Sequence, residues 1–486
     1  MKRLTRSLFT VLIDMKRIAL LLVRAVVCFW VLSSVRAQNL PQLSVHASSN
    51  RIFSVTWPYT NSGFALQESS ALLSPSNWQA SLIVPAFDSN SAAFSESAAA
   101  TNAARFFRLM QPADMRGVYV NTPLGGGPNN PASEQITNAI NLPGMDGMFI
   151  AGLWSDIETN YNQYDWSHLD KWMSYAVAQN KKVNLVIRAG DGIPAWLFLP
   201  PTNGPGATQL TFTISPKDGK TGICQTDIVA VPWEPAFLNS WNAYLTNLSA
   251  HLKLTGTYSN VTLLRLTGIN RTSDELRLPA ETPDNNPLTG TGMDCVSNAP
   301  AIWQTNGYTP GKLLLAWSNI VASFNASFPD KTFCVAIIPY PPQVPFPPID
   351  DNGNLITTNL PDQNAPLLQL AGQMLPGRLA VQFNFLMTSN AANPAVIAAA
   401  QNYGTLTAYQ VNNWFAASNA GSACGGTVTN PAPCVDSTYL GMLQQGIYPL
   451  GVTNPLRSQY VEVWATNATV FTNAIWQAHL ELTIPP

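Results

Sequence analysis

The chain has 486 residues and a net charge of −2, from 25 Lys/Arg and 27 Asp/Glu, and only 11% of its residues are charged. Binding to nucleic acid needs a basic face, so this charge balance excludes nucleic acid as an expected partner. Four histidines, together with six cysteines that show no paired Cys-x-x-Cys spacing, provide no zinc ligand set, and neither a metal nor a cofactor is expected.

The first 37 residues are predicted to be a secretory signal. Basic residues precede an apolar run from Ala25 to Leu32, and Val35 and Ala37 form the small-residue pattern of a cleavage site. An N-terminal membrane anchor is the alternative, although the apolar run is shorter than the roughly 20 residues that span a bilayer. We therefore expect a secreted, periplasmic or cell-surface protein without a membrane segment after cleavage. The segment contains seven Lys/Arg and one Asp, so 18 basic and 26 acidic residues remain, with a net charge of −8.

Five cysteines follow the predicted signal, in a compartment that permits disulfides. Cys424 and Cys434 flank a Gly/Pro-rich loop and are expected to pair. Cys224 and Cys295 lie in two long loops and form a second candidate pair. Cys334 lies in the apolar run "FCVAII", where a buried free thiol is expected.

Residues 38–112 are predicted to form a small β-sandwich-like module. Short alternating or aromatic runs, such as "FSVTWP" and "ARFFRLMQP", are separated by Ser/Asn/Pro turns. The stretch resembles a small β module found ahead of catalytic or surface domains in some secreted bacterial proteins. Its expected core residues are Trp57, Phe64, Leu66, Trp78 and Phe107.

Residues 113–486 repeat a strand, loop and helix pattern that predicts a closed (β/α)8 barrel of the TIM type. The predicted strands are 117–121, 147–154, 182–190, 261–269, 331–339, 378–385, 404–411 and 459–464. Helical spacing is clearest in 166–180, 234–254 and 468–482. A doubly wound open sheet is the competing fold. It would need a glycine-rich phosphate turn, and "NTPLGGGPNN" after the first strand lacks the G-x-G-x-x-G order.

The carboxyl ends of the predicted strands carry aromatic, acidic and amide side chains. Functional residues of such barrels lie at these ends. Because sugar rings present C–H faces to aromatic rings and hydroxyls to polar groups, this composition favours a neutral carbohydrate as the partner. The candidate substrate-binding residues are Trp154, Asp191, Trp196, Asn270, Gln410 and Trp464.

The stretch from Leu153 to Leu197 resembles the early half of (β/α)8 glycoside hydrolases, especially the family 42 β-galactosidases and their neighbours. The resemblance rests on Trp154, the Ile157-Glu158 pair, the phrase "QYDWSHLD" and the phrase "AGDGIPAWL". Beyond this stretch it extends only to the order of the strands. It implies a glycosidase, and it implies that Glu158 and Asp170 set the loop and start the helix.

Glycoside hydrolysis uses two carboxyl groups that flank the scissile bond. In the resembling enzymes the acid follows the fourth strand as an adjacent Asn-Glu, whereas here four residues separate Asn270 from Glu275. Glu275 is the predicted general acid, with a pKa raised by burial, and Asp274 is the second choice. The nucleophile of those enzymes ends the seventh strand, where this chain has Gln410. Glu462 in the eighth strand is the remaining choice for the second catalytic carboxylate.

Alternation in "QYVEVW" predicts that Tyr460, Glu462 and Trp464 point into the barrel. An inward carboxylate is costly unless it is paired or functional, so a buried ion pair with Arg188, Arg265 or Arg378 is the alternative to catalysis.

The sequence leaves two candidate functions. The first is an exported glycosidase that uses Glu275 and Glu462. The second is a barrel without catalysis that binds carbohydrate or acts at the cell surface, which Gln410 and the split Asn-Glu motif favour. The sugar and the oligomeric state are left open.

Overall fold

The fold was taken from a computed structural model. It describes residues 9–12, 25–29, 41–47, 52–58, 64–70, 79–80, 86–88, 91, 93–99, 105–110, 112–125, 127–190, 192–214, 225–271, 273–281, 297–338, 344–358, 360–386, 393–411, 435–450 and 457–483. The predicted disulfide partners Cys224, Cys295, Cys424 and Cys434 lie outside these ranges, as do Trp78 and Asp191, so their predictions remain predictions. Cys334 is described, and it is a buried free thiol as predicted.

Eight parallel strands close into a barrel, which confirms the predicted fold class. The first strand pairs with the second and with the last, so that no edge is left open. The barrel strands are β10 (Gly117–Pro123), β11 (Gly147–Leu153), β14 (Lys182–Arg188), β17 (Val261–Arg265), β18 (Thr332–Ile337), β19 (Leu379–Leu386), β20 (Leu406–Val411) and β21 (Tyr460–Val463). All eight coincide with predicted strands.

Each barrel strand is buried on both faces, which explains the nearly continuous apolar runs in the sequence. In β21, Val461 and Val463 belong to the layer packed against the helices, whereas Tyr460 belongs to the cluster inside the barrel. The period of two predicted from "QYVEVW" is therefore present. The same parity places Phe149 of β11 inside and Ile150 outside.

Helices surround the barrel, and proline and capping side chains fix where several of them begin. Pro310 stands at the start of the helix Pro310–Ser327, where the Thr309 hydroxyl accepts a hydrogen bond from the Lys312 N–H. The helix Pro394–Tyr403 is followed by Gly404, whose φ of 64° suits glycine. The helices are α1 (Glu134–Ile140), α2 (Trp154–Ile157), α3 (Ser167–Ala178), α4 (Pro235–Leu254), α5 (Ala299–Thr305), α6 (Pro310–Ser327), α7 (Ala365–Met374), α8 (Pro394–Tyr403), α9 (Asp436–Ile447), α10 (Ala465–Ala468) and α11 (Thr472–Thr483).

Two hairpins extend the loops that follow barrel strands. The first pairs β12 (Glu158–Asn160) with β13 (Gln163–Tyr164), and its turn holds Asn162 at a φ of 60°, a conformation that asparagine tolerates. The second pairs β15 (Gln209–Ile214) with β16 (Gln225–Ala230). In the second hairpin, Phe212 stacks on Trp303 of α5 with ring centroids 5.3 Å apart. This contact fixes the hairpin to the segment that precedes α6.

The N-terminal region contains two small sheets, as expected for an all-β module. One sheet joins residues 44–47, 52–58, 93–99 and 86–88 in that order, and the other joins residues 9–12, 25–29, 105–110, 65–69 and 79–80. Trp57, Leu66 and Phe107 are buried in the core as predicted, and Phe64 is half-buried. The strands are β1 (Phe9–Leu12), β2 (Ala25–Phe29), β3 (Ser44–Ala47), β4 (Ile52–Pro58), β5 (Ala65–Ser69), β6 (Gln79–Ala80), β7 (Ala86–Asp88), β8 (Ala93–Ala99) and β9 (Arg105–Met110). Among the described residues, no helix combines the length and apolar character needed to cross a membrane.

Candidate functional site

Polar side chains gather inside the barrel towards the carboxyl ends of the strands. The apolar interior contains Leu263, Ala380, Ala408 and Tyr460 on four strands. Two residues further along, the same inward face carries a polar or charged side chain on each of these strands. These four side chains are Arg265, Gln382, Gln410 and Glu462. The interior therefore changes from apolar to polar in the direction of the rim where barrel sites lie.

Glu462 lies in the middle of this polar layer and is completely buried. Its Oε1 accepts hydrogen bonds from Asn184 Nδ2 at 2.5 Å and from Arg265 Nη2 at 2.7 Å. Its Oε2 accepts from Gln382 Nε2 at 2.9 Å and from Gln410 Nε2 at 2.7 Å. Four donors from four strands occupy both carboxylate oxygens, which is the arrangement that makes a buried carboxylate tolerable.

Arg265 is the ionic partner of Glu462, so the buried ion pair that the sequence offered as an alternative is present. The same guanidinium also pairs with Asp274 and lies over the Phe149 ring, 4.6 Å from its centroid. One cation is thus shared between two carboxylates. The contacts of Glu462 favour a structural role, and its catalytic assignment stays a sequence-based prediction.

Glu275 lies beside the end of β18, where it forms a parallel β-bridge with Ala336. Its side chain is 7% exposed. Oε1 accepts a hydrogen bond from Asn384 Nδ2 at 3.0 Å, whereas Oε2 has no hydrogen-bond partner among the described residues. An ionised carboxylate with one unsatisfied oxygen has the capacity to accept a hydrogen bond or attack an electrophile.

The pKa of Glu275 is lowered below its ordinary value of 4.5. Burial raises it, but the charge of Arg277 and the neighbouring polar groups of Ser273 and Asn384 outweigh burial. The sequence-based expectation was the opposite, a raised pKa that keeps a general acid protonated. That expectation considered burial alone and missed the nearby guanidinium. The carboxyl group is therefore ionised at neutral pH and suits a base or a nucleophile.

Two of the predicted sugar-stacking residues are core residues in the structure. Trp154 is completely buried and packs against Trp241 of α4 at a centroid distance of 5.0 Å. Trp196 is 6% exposed and makes an edge contact with Trp154 at 5.6 Å. In these positions neighbouring protein rings, and not solvent, surround the two indoles.

The two predicted amide ligands are engaged by the protein itself. Asn270 accepts a hydrogen bond from the Gly268 N–H and donates to the carbonyl of Ser273, so it shapes the loop after β17. Gln410 donates to Glu462, as described above, and is 9% exposed. Neither contact depends on a ligand.

Of the predicted aromatic substrate-binding residues, Trp464 is the one whose position fits a sugar-stacking surface at the carboxyl rim of the barrel. It follows β21 directly, caps the start of α10 and is half-buried. Its indole Nε1 donates to the Val411 carbonyl at the end of β20, over 2.8 Å. The ring is thereby held at the carboxyl ends of the seventh and eighth strands while part of it remains accessible.

Glu158 contacts the loop after the second barrel strand, whereas the side chain of Asp170 contacts α4 and does not cap the start of α3. Glu158 accepts from Trp154 Nε1 at 2.8 Å and from the Asn162 N–H at 3.0 Å, which fixes the β12–β13 hairpin. Burial raises the pKa of Glu158. Asp170, in the first turn of α3, lies 2.6 Å from His251 Nε2 of α4.

Asn184 and Gln382 are members of the polar network that the sequence analysis did not select. The available signal was an amide at an inward position of an otherwise apolar strand, in "KVNLVIR" and "RLAVQFNF". Such an amide must find partners when it is buried, and it therefore indicates a network.

These observations define the class of protein as a closed (β/α)8 barrel with a buried polar network under its carboxyl rim and the Glu275 carboxylate at that rim. No family model matches the chain, and no curated protein sequence matches it. Similar solved structures include three proteins, each 11% identical to this chain. They are a β-galactosidase from the psychrophilic Marinomonas ef1 (TM-score 0.40, 71% of this chain and 53% of that one), the intracellular xylanase TsXylA from Thermoanaerobacterium saccharolyticum (0.38, 72% and 85%), and GH10 from Paenibacillus barcinonensis (0.35, 72% and 83%). The chain thus spans about half the length of the β-galactosidase. The barrel assignment itself rests on the strand pairing of this chain.

Proposed function

We propose that this protein hydrolyses glycosidic bonds of a neutral oligo- or polysaccharide at the carboxyl rim of its barrel. The observation that carries the proposal is the Glu275 carboxylate, which is buried at the rim, ionised, and without a hydrogen-bond partner on Oε2 among the described residues. Holding an ionised carboxylate in such a place is costly, and sites that do so are often catalytic. The predicted signal segment supports a location outside the cytoplasm.

Glu275 is proposed as the base or nucleophile of the reaction, in place of the general acid that the sequence suggested. A lowered pKa keeps the carboxylate ready to accept a proton from water or to attack the anomeric carbon. Glycosidases need a second carboxyl group to protonate the leaving oxygen. Glu462 is already engaged by four donors. The acidic residues to test for that role are Asp274, which shares Arg265 with Glu462 but is 16% exposed at its side chain, and Asp191, which lies outside the described residues.

Trp464 is proposed as the surface on which a sugar ring stacks. Its position after the eighth strand and its partial exposure suit a ring contact, and the hydrogen bond to Val411 fixes the orientation of the indole. Because the stretch from Leu153 to Leu197 resembles the family 42 enzymes, an aryl β-galactoside is the first substrate to test.

The experiment is a panel of nitrophenyl glycosides, β-galactoside, β-glucoside and β-xyloside among them, incubated with the wild type and with Glu275→Gln. The wild type is expected to release nitrophenol from at least one substrate, and the variant to lose about 10²–10⁴-fold in rate. Glu134→Gln, at an exposed position in α1, is the matched control and should retain wild-type activity. Asp274→Asn and Asp191→Asn then locate the second carboxyl group. Equal rates for wild type and Glu275→Gln would overturn the proposal.

A barrel that binds carbohydrate without cleaving it is the second candidate function. Saturation of Glu462 by four donors favours it, because this removes the carboxylate that the sequence offered as catalytic partner. Under this alternative the wild type releases no nitrophenol but still binds oligosaccharides in a calorimetric titration. Trp464→Ala should then weaken binding while Glu134→Gln leaves it unchanged.

A further inference from the structure

Glu275 and Glu462 are joined by a continuous chain of hydrogen bonds through two amides of β19. Gln382 Nε2 donates to Glu462 Oε2 at 2.9 Å and to Asn384 Oδ1 at 2.6 Å. Asn384 Nδ2 then donates to Glu275 Oε1 at 3.0 Å. Gln382 is completely buried and Asn384 is 5% exposed. Water therefore has little access to rearrange the chain.

The direction of the hydrogen bonds at Gln382 is set from the Glu462 end of this chain. A carboxylate has only acceptors, so Gln382 must present its NH₂ group to Glu462. The Tyr460 hydroxyl donates to Gln382 Oε1 at 2.6 Å, which fixes the same orientation from the other side. Burial raises the pKa of Tyr460 well above its ordinary value, so this hydroxyl keeps its proton.

The second hydrogen of the Gln382 NH₂ group needs an acceptor, and Asn384 Oδ1 supplies it. The Asn384 amide is then turned so that its nitrogen faces Glu275. An amide turned the other way would put an oxygen against an ionised carboxylate, which is unfavourable. A buried carboxylate on the eighth strand thus favours the same orientation of Asn384 that the Glu275 carboxylate beyond the fourth strand requires.

We propose that Glu462 is a positioning residue that acts through Gln382 to hold Asn384 with its amide nitrogen towards Glu275. Hydrogen-bond networks of this kind act as units, since each member fixes the orientation of the next. The relevance to catalysis rests on the proposed function of Glu275. The orientation of the amides does not, and it is testable whether or not the protein is an enzyme.

The consequence is measurable at Glu275. In Glu462→Gln, the amide oxygen should face Arg265 and Asn184, so that the NH₂ group faces Gln382 and Gln410. The proposal then requires Gln382 to turn, with the Tyr460 hydroxyl rotating to accept a hydrogen bond, and Asn384 to turn with it. Glu275 then faces an oxygen, and its pKa should rise by about one to two units, the size expected for loss of a hydrogen bond to a charged group. Charge alone predicts the opposite sign, because removing a nearby negative charge lowers the pKa of a carboxyl group.

A second variant provides the same test if Glu462→Gln does not fold. Gln382→Met leaves the pair of Arg265 and Glu462 in place, so that no charge is altered. It removes the donor to Asn384 Oδ1, so the Asn384 amide loses the contact that holds it towards Glu275, and the pKa of Glu275 should rise. Asn184→Leu is the matched control, since Asn184 donates to the other oxygen of Glu462 and lies off the chain. The ionisable groups in and beside the network, which stay the same in both of these variants, are Arg277, Asp274, Arg265, Glu462, Tyr460 and Cys334.

The titration is followed by carbon-13 NMR of protein labelled at the glutamate carboxyl carbons, and the Glu275 signal is identified as the one missing in Glu275→Gln. A rise in Glu462→Gln or Gln382→Met, without a rise in Asn184→Leu, supports the proposal. An unchanged or lowered pKa in the folded variants overturns it. Nitrophenyl glycoside hydrolysis is measured on the same samples. If the pKa of Glu275 rises in the variants but the wild type hydrolyses no glycoside, the positioning role is supported and the proposed function is rejected. If hydrolysis depends on Glu275 but its pKa does not rise in the variants, the proposed function is supported and the positioning role is rejected.

Discussion

Arg265 and Glu462 form an ion pair inside the barrel, with 2.7 Å between Nη2 and Oε1 and neither side chain exposed to solvent. The two residues lie on the fourth and eighth strands, on opposite sides of the ring. Their pairing therefore ties distant strands together across the interior. Removing one partner should lower the free energy of unfolding, because the charge that remains has no access to water.

Arg265→Met is expected to lower the free energy of unfolding by about 3–5 kcal/mol, since it leaves Glu462 as a buried charge and the half-buried Asp274 without their shared cation. Urea unfolding followed by circular dichroism measures the loss. Arg116→Met is the control, because the pair of Arg116 and Asp114 is partly exposed and should contribute about 1 kcal/mol or less. Similar losses for the two variants would mean that the interior pair is not the stabilising contact described.

Trp154 and Trp464 should respond differently to truncation. Trp154→Ala removes a completely buried ring from the layer against α4, and a loss of about 3–5 kcal/mol in unfolding free energy is expected. Trp464→Ala should cost less stability but weaken oligosaccharide binding roughly tenfold, equivalent to about 1.4 kcal/mol. Calorimetric titration and urea unfolding on both variants check this. If Trp154→Ala weakened binding without lowering stability, Trp154 would be a sugar-binding residue and not a core residue.

Burial of Glu158 should make the free energy of unfolding decrease as the pH rises. Burial raises its pKa above the ordinary value of 4.5, against the opposing hydrogen bond from Trp154. A carboxyl group with a raised pKa in the folded state contributes most below its unfolded pKa, and the contribution is lost as pH rises through the folded pKa. Relative to Glu158→Gln, the wild type should therefore lose stability as the pH rises from below 4.5 through the raised pKa of Glu158. Urea unfolding across this range provides the measurement, with exposed Glu134→Gln as a control that should show no such trend.

Asp146 joins the first and second strands to the last helix at the opposite end of the barrel. It accepts a hydrogen bond from the Val118 N–H at 2.9 Å and lies 2.9 Å from His479 Nδ1 of α11. Asp146→Ala should lower the unfolding free energy by about 1–3 kcal/mol, because the buried Val118 N–H loses its acceptor. Carbohydrate binding in the folded variant should be unchanged. Loss of binding at wild-type stability would place the site at the wrong end of the barrel.

The sequence predicted the barrel because its strands repeat as separate apolar runs, and each run is visible locally. It also predicted that Glu462 points inward, since alternation is a property of a single strand. The same alternation carries the information that Trp154 points outward, because Trp154 has the parity of Ile150 and not of Phe149. The resemblance in the surrounding phrase led instead to a sugar-stacking assignment.

The partners of Glu462 could not be predicted in the same way. Its donors come from four other strands, and Asn184 lies 278 positions away in the chain. Which inward residues meet depends on the register of strands around the closed ring, and no single run of residues contains that register. The lowered pKa of Glu275 has a similar origin, because it depends on how the loop after β17 folds Arg277 towards the carboxylate.

The role of Glu275 is tested most directly by chemical rescue. Glu275→Ala is assayed on the nitrophenyl glycoside that the wild type cleaves best, with and without sodium azide. We predict a loss of about 10²–10⁴-fold on substitution, and a recovery of nitrophenol release with azide as the small anion occupies the space of the missing carboxylate. Activity that survives the substitution, or a wild type that cleaves none of the glycosides, would contradict the account.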